Sequence, residues 1–122
     1  MENKLSLKLP KSIRITKEKH FTYIFKNAKK IQNRYLIIYF VPAKEEIKKV
    51  AFVASKKLGN AVYRNKCKRR LREFYRLNQH QIINKFDLVF VAKNSIVNTN
   101  FWVINEAFIE LLKSCNLYQM QL

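Results

Sequence analysis

Residues 56–76 read KKLGNAVYRNKCKRRLREFYR: nine Lys or Arg, a single acid at Glu73, and Gly59, the only glycine of the chain. A run this basic fits a solvated tail, a localisation signal, a phosphate-gripping loop or one face of a helix. Angular position separates these readings. At about 100° per residue, Tyr63, Cys67, Leu71 and Phe74 fall within roughly 80° of one another. Asn65, Lys68, Arg69, Arg72 and Arg76 fall on the opposite side, in an arc of about 100°. A tail or a signal needs no apolar seam. The spacing therefore predicts an amphipathic helix over about 61–77, apolar on one side and cationic on the other. Gly59 stands just before it and can take backbone angles closed to larger residues, so a preceding strand can turn sharply into the helix.

Most charged faces are merely solvated, and two details oppose that here. Solvated helices mix signs for i,i+4 pairing, whereas Glu73 is the only acid in the run. The excess is mostly arginine, whose planar fork suits bidentate phosphate contacts. A recognition helix for double-stranded DNA usually follows a second helix across a tight turn, and a basic helix between two strands is not that design. Structured RNA, gripped by shape and phosphate, fits better.

Composition agrees. The 122 residues are 48% hydrophobic and 13% aromatic, enough for one domain with a real core. Against that core stand 25 Lys+Arg and 8 Asp+Glu, a net charge of +17. Such an imbalance favours a polyanionic partner, most simply nucleic acid. A membrane surface is the weaker alternative, because outside this run no segment pairs a large apolar face with a lysine-rich back. Cys67 and Cys115 lie far apart without metal spacing, and His20 and His80 are isolated, so no zinc site is expected and the thiols should be reduced. No signal peptide is evident, and the longest apolar run, Tyr35 to Val41, is far short of a membrane span. A soluble, cytoplasmic protein is expected.

The remaining elements follow from local pattern. Residues 1–15 read as an extended basic arm in which Pro10 blocks a helix. Thr16 is a candidate cap for a helix carrying Phe21, Ile24 and Phe25 at i, i+3 and i+4 and ending near Asn27-Ala28. YLIIYFV (35–41), closed by Pro42, reads as a buried strand; VAFVAS (50–55) as a second strand antiparallel to it; FDLVFVAK (86–93) as a third. Residues 43–49 are a turn and 94–100 a loop. Asn98 to Asn100 offer caps for a last helix, FWVINEAFIELLKSCN (101–116), with Phe101, Ile104, Phe108 and Leu111 on one face. The result is an α+β sandwich with helices packed on one sheet, in a single domain spanning 1–122.

SKKLGNAVYRNKCKRRLREFYR (55–76) resembles the signature of the bacterial ribonuclease P protein component: a Lys-rich strand end, then Gly-Asn-Ala-Val, Arg-Asn-Arg, Lys-Arg and Arg-Glu. LPKSIRITKEKHFTYIF (9–25) resembles the family's arm and first helix, and FDLVFVAK its last strand. The resemblance implies a two-layer α/β sandwich in helix–strand–strand–strand–helix–strand–helix order, a fold shared with a ribosomal-protein domain. It also implies a left-handed βαβ crossover through the basic helix, although general handedness rules favour the opposite. A short first strand is implied near Ile31 to Asn33.

The function implied is that of the protein subunit of ribonuclease P, the cofactor of a catalytic RNA that removes the 5′ leader of precursor tRNA with Mg²⁺. Mg²⁺ would be bound mainly by the RNA and the substrate, with no dedicated protein site and no catalytic residue in the protein. The sequence is consistent with that division, having no carboxylate cluster, His pair or nucleophile constellation. On the family pattern, Arg64, Asn65, Lys66, Lys68, Arg69 and Arg72 contact the catalytic RNA, extended by Lys56, Lys57 and Asn60. Phe21, Phe25 and Tyr39 match the aromatics of a cleft that holds the single-stranded leader, where stacking needs no base identity. Ordinary core packing is the competing reading of Phe21 and Phe25. The partners implied are the catalytic RNA and precursor tRNA, with no membrane and no stable protein partner. Three departures stand out: Lys66 replaces an arginine, Asn27-Ala28 stands where a glycine is expected, and the N-terminal arm is longer than the motif needs. A general RNA-binding or ribosomal-protein-like chaperone is the alternative; a protein-only nuclease is opposed by the missing carboxylates.

Overall fold

Alternation along three short apolar strands sorts their side chains to two faces of one sheet, and that sorting positions everything else. A computed structural model describes residues 14–44 and 48–119. Its elements run α1 (Glu18–Asn27), β1 (Lys29–Gln32), β2 (Leu36–Pro42), β3 (Val50–Val53), α2 (Ala61–Asn78), β4 (Phe86–Ala92) and α3 (Phe101–Ser114). The sheet order is β1-β2-β4-β3. β1 and β4 flank β2 in antiparallel pairs, while β3 pairs with β4 in parallel. α2 is the crossover that a parallel pair requires.

One face is the main core. Leu36, Ile38 and Phe40 of β2, Leu88, Phe90 and Ala92 of β4, and Val50 of β3 meet Cys67, Leu71, Phe74 and Tyr75 of α2 and Ile104, Phe108 and Leu112 of α3. The other face carries a smaller cluster, in which Val41, Ala51 and Val89 are covered by Ile15 and by Ile24 of α1. Cross-strand rows show how far α1 reaches. The row Lys30–Tyr39–Val89–Ala51 lies partly under it. In the next row, Gln32–Ile37–Val91–Val53, the three apolar side chains stay half-buried. A cleft floor is therefore left along α1.

Several expectations change in detail. The strand at residues 50–53 does run antiparallel to β2, but β4 lies between them; a strand's own pattern tells its faces and not its neighbour. Thr16 does not cap α1. Ile15 is buried, and its N–H donates to the Val50 carbonyl at 2.8 Å, which keeps the chain extended through Thr16. The helix starts one residue later, from Lys17 with no side-chain cap. β1 covers Lys29–Gln32. Residues 94–97 form a 3-10 turn that buries Ile96, where a loop is expected. On α3 the core residue is Leu112, with Leu111 half-buried. Asn100 caps that helix as expected, its side-chain oxygen accepting from the Trp102 and Val103 N–H groups. Both cysteines are free, Cys67 buried and Cys115 half-buried. Of the basic arm, residues 1–13 with Pro10 lie outside the described residues, as do 45–47 of the turn; Arg14 and Ile15 join the fold through a bridge to Val50. No helix among the described residues is long and apolar enough to cross a membrane.

Candidate nucleic-acid interface

α2 is built by its first residues. Gly59 has φ 147° and ψ −157°, a region closed to residues with a side chain, and a Cβ there would sit 3.4 Å from Tyr63 Cδ2. The Asn60 side-chain oxygen then accepts from the Tyr63 N–H at 2.9 Å and caps the helix. Asn60, expected on the RNA face, thus has a structural duty. The Tyr63 hydroxyl donates to Asn94 Oδ1 at 2.6 Å, tying α2 to the 3-10 turn that follows β4. The seam is as expected at Cys67, Leu71 and Phe74, with Tyr63 half-buried, and it widens to include Tyr75 and Asn78.

The opposite side presents the cations. Asn65, Lys66 and Arg69 are exposed; Arg64, Lys68 and Arg72 are half-buried. Lys56 and Lys57 are exposed on the 3-10 turn Lys56–Leu58 that leads into α2. The one acid of the run is spent: Glu73 pairs with Arg76. Arg72 has no such partner among the described residues. Burial lowers its pKa below the ordinary guanidinium value, and the charges of Arg14 and Arg69 add to that. Like charges held together oppose compactness, and an anion nearby relieves that repulsion. Arg14 lies outside α2, where its backbone bridges Val50 of β3, so the helical wheel does not include it. Arg70 was also missed; its guanidinium lies 5.3 Å over the Phe101 ring, at the flank facing α3.

The three cleft aromatics come together on the other face of the sheet. Phe21 and Phe25 have ring centroids 6.3 Å apart and planes 20° from parallel. Phe25 meets Tyr39 edge-on at 4.9 Å. Phe21 and Tyr39 are half-buried and Phe25 is 45% exposed, so Phe25 is no core residue. Lys30, placed opposite Tyr39 by the strand register, brings its ammonium to 6.0 Å from that ring. Sequence spacing alone could not find it, because the pairing of β1 sets it. α1 is held in place by Asp87, a buried carboxylate whose Oδ1 accepts from the Lys49 backbone N–H at 2.8 Å and whose Oδ2 bonds His20 Nε2 at 2.9 Å. A cavity of about 390 Å³ opens beside the start of α1, lined by Arg14, Lys17, Lys19, Lys44 and Lys49 around His20, Tyr23 and Asp87. Phe21, Phe25 and Tyr39 lie outside it.

A model of the Ribonuclease P family matches residues 9–116. The ribonuclease P protein component of Alkaliphilus oremlandii is 38% identical over 104 residues, covering 85% of this chain and 91% of that protein. The structure of the Staphylococcus aureus RNase P protein is similar with a TM-score of 0.76 at 30% identity, over 89% of this chain and all of the other (100%). That of the Thermotoga maritima RNase P protein gives 0.73 at 31%, over 83% and 96%.

Proposed function

The chain belongs to the ribonuclease P protein family, and from that premise we propose that it is the protein subunit of a ribonucleoprotein endonuclease that matures the 5′ ends of tRNA in the cytoplasm. One observation carries the reading: two chemically different surfaces, one cationic and one aromatic, stand on opposite faces of one sheet. α2 offers Arg64, Asn65, Lys66, Lys68, Arg69 and Arg72 to the phosphates of a folded catalytic RNA, with Lys56 and Lys57 beside them. The cleft along α1 offers the faces of Phe21, Phe25 and Tyr39, and the cation of Lys30, to an unpaired leader. Stacking suits a strand of any sequence, and cations suit a polyanion of defined shape. Holding both at once lets the protein raise the affinity of the RNA for a leader-bearing substrate.

The bond-breaking chemistry is assigned to the RNA. The Mg²⁺ it uses is assigned to RNA and substrate. Among the described residues no three His, Cys, Asp or Glu side chains gather, and both oxygens of the buried Asp87 are already engaged. The protein instead screens phosphate charge, which lowers the Mg²⁺ the RNA requires.

Reconstitution tests this. Labelled precursor tRNA is incubated at low Mg²⁺ with the protein, with the catalytic RNA, and with both. Cleavage is expected with both partners and little with the RNA alone. Cleavage by the protein alone would overturn the division of labour. RNA binding without stimulation would leave a general RNA chaperone.

A further inference from the structure

The start of α3 carries an exposed indole, Trp102, that neither the core nor the cleft uses. Phe101 is anchored, its ring stacked on the buried Phe74 with centroids 4.7 Å apart and planes 26° from parallel. Trp102 meets Phe101 edge-on at 5.0 Å and is 63% exposed. Its backbone is fixed by the cap at Asn100, which accepts from the Trp102 N–H at 2.9 Å. Arg70 of α2 completes the group, with its guanidinium over the Phe101 ring and its Nη1 buried without a hydrogen-bond partner among the described residues. An indole left mostly in water stabilises the fold little, and a buried guanidinium N–H without an acceptor costs stability.

The chemistry narrows what covers this surface. A second copy would bring together two chains of net charge +17, which opposes association. A nucleotide supplies a π face for the indole and phosphate oxygens for the part of the half-buried Arg70 side chain that water still reaches. Direction follows from charge. Glu106, one turn beyond Trp102 and exposed, repels a phosphate along α3, whereas Lys66 and Arg69 beside Arg70 attract one toward α2. We propose that Trp102, Phe101 and Arg70 form a stacking platform for an unpaired nucleotide of the catalytic RNA, the base on Trp102 and the phosphate on Arg70. This rests on the reading of α2 as the face for that RNA, and it adds an aromatic anchor on the opposite side of the sheet from Phe21, Phe25 and Tyr39.

Trp102 is the only tryptophan of the chain, so its fluorescence reports the platform directly. The whole protein is titrated with the catalytic RNA, with a single-stranded leader oligonucleotide, and with more of itself. Acrylamide quenching of Trp102 should fall on saturation with the catalytic RNA and not in the other two titrations. Trp102→Ala should weaken binding of that RNA about fivefold or more, with Trp102→Phe recovering most of the loss and the melting temperature unchanged. A Trp102 as quenchable in the complex as in the free protein overturns the proposal, as does a Trp102→Ala protein of wild-type affinity. Shielding by the leader or by a second copy would reassign the surface and overturn it equally. These failures leave the reading of α2 standing wherever Arg69→Ala weakens binding; a wild-type protein that does not bind the RNA removes both.

Discussion

The Phe25 ring of α1 meets the Tyr39 ring of β2 edge-on, 4.9 Å between centroids, across the boundary of helix and sheet. Phe25 spaced as a core residue lies instead on a cleft wall, because α1 covers only part of the sheet face beneath it. Phe25→Ala should therefore cost the fold about 1 kcal/mol or less. It should weaken binding of leader-bearing precursor tRNA by about 1–3 kcal/mol more than binding of leaderless tRNA. Equal losses for both substrates with a lowered melting temperature would return Phe25 to a packing role.

Arg69 and Arg72 should carry salt-dependent binding, and Arg76 should not. Each of Arg69→Ala and Arg72→Ala is expected to flatten the slope of log affinity against log salt for the catalytic RNA by about 0.7–0.9. Arg76 already pairs with Glu73, so Arg76→Ala should change the slope less. Slopes that do not separate the three would mean that the cationic arc does not select among its members.

Gly59→Ala tests the turn from β3 into α2. With φ at 147° and Tyr63 Cδ2 at 3.4 Å from the new methyl, the substitution should destabilise by about 1–3 kcal/mol. The melting temperature should fall by roughly 4 °C per kcal/mol for a chain of this size. Asn60→Ala, which removes the cap, should cost about 0.5–2 kcal/mol. Thermal melts of both variants decide it, and an unchanged Gly59→Ala melt would refute the backbone argument.

Burial pushes the pKa of both Cys67 and Cys115 above the ordinary thiol value. The folded protein therefore holds these protons more tightly than the unfolded chain. The resulting stability is present below the unfolded pKa and is lost as pH rises through the raised folded values. Alkylation at neutral pH should be slow and should mark half-buried Cys115 before buried Cys67, with both modified in denaturant. Mass spectrometry of peptides over a pH series measures this; rapid native labelling of Cys67 would contradict its burial.

The sequence by itself determined what depends on neighbours along the chain. The helical wheel placed the seam of α2 and its cationic side, Gly59 marked the turn, and the apolar runs located β2, β3 and β4, because periods of 3.6 and 2 are local properties of the backbone. The family signature then supplied a short strand beside β2 that no pattern revealed. Tertiary structure decided what depends on partners across the chain. It paired β3 with β4 rather than with β2, put Lys30 against Tyr39, bridged Arg14 to Val50, and laid Arg70 on Phe101. It also decided exposure: Phe21, Ile24 and Phe25 share one apolar stripe, yet Ile24 is sealed while Phe25 stays open. A stripe says which side of a helix faces inward. Only the width of the surface it lands on says how much of that side water can still reach.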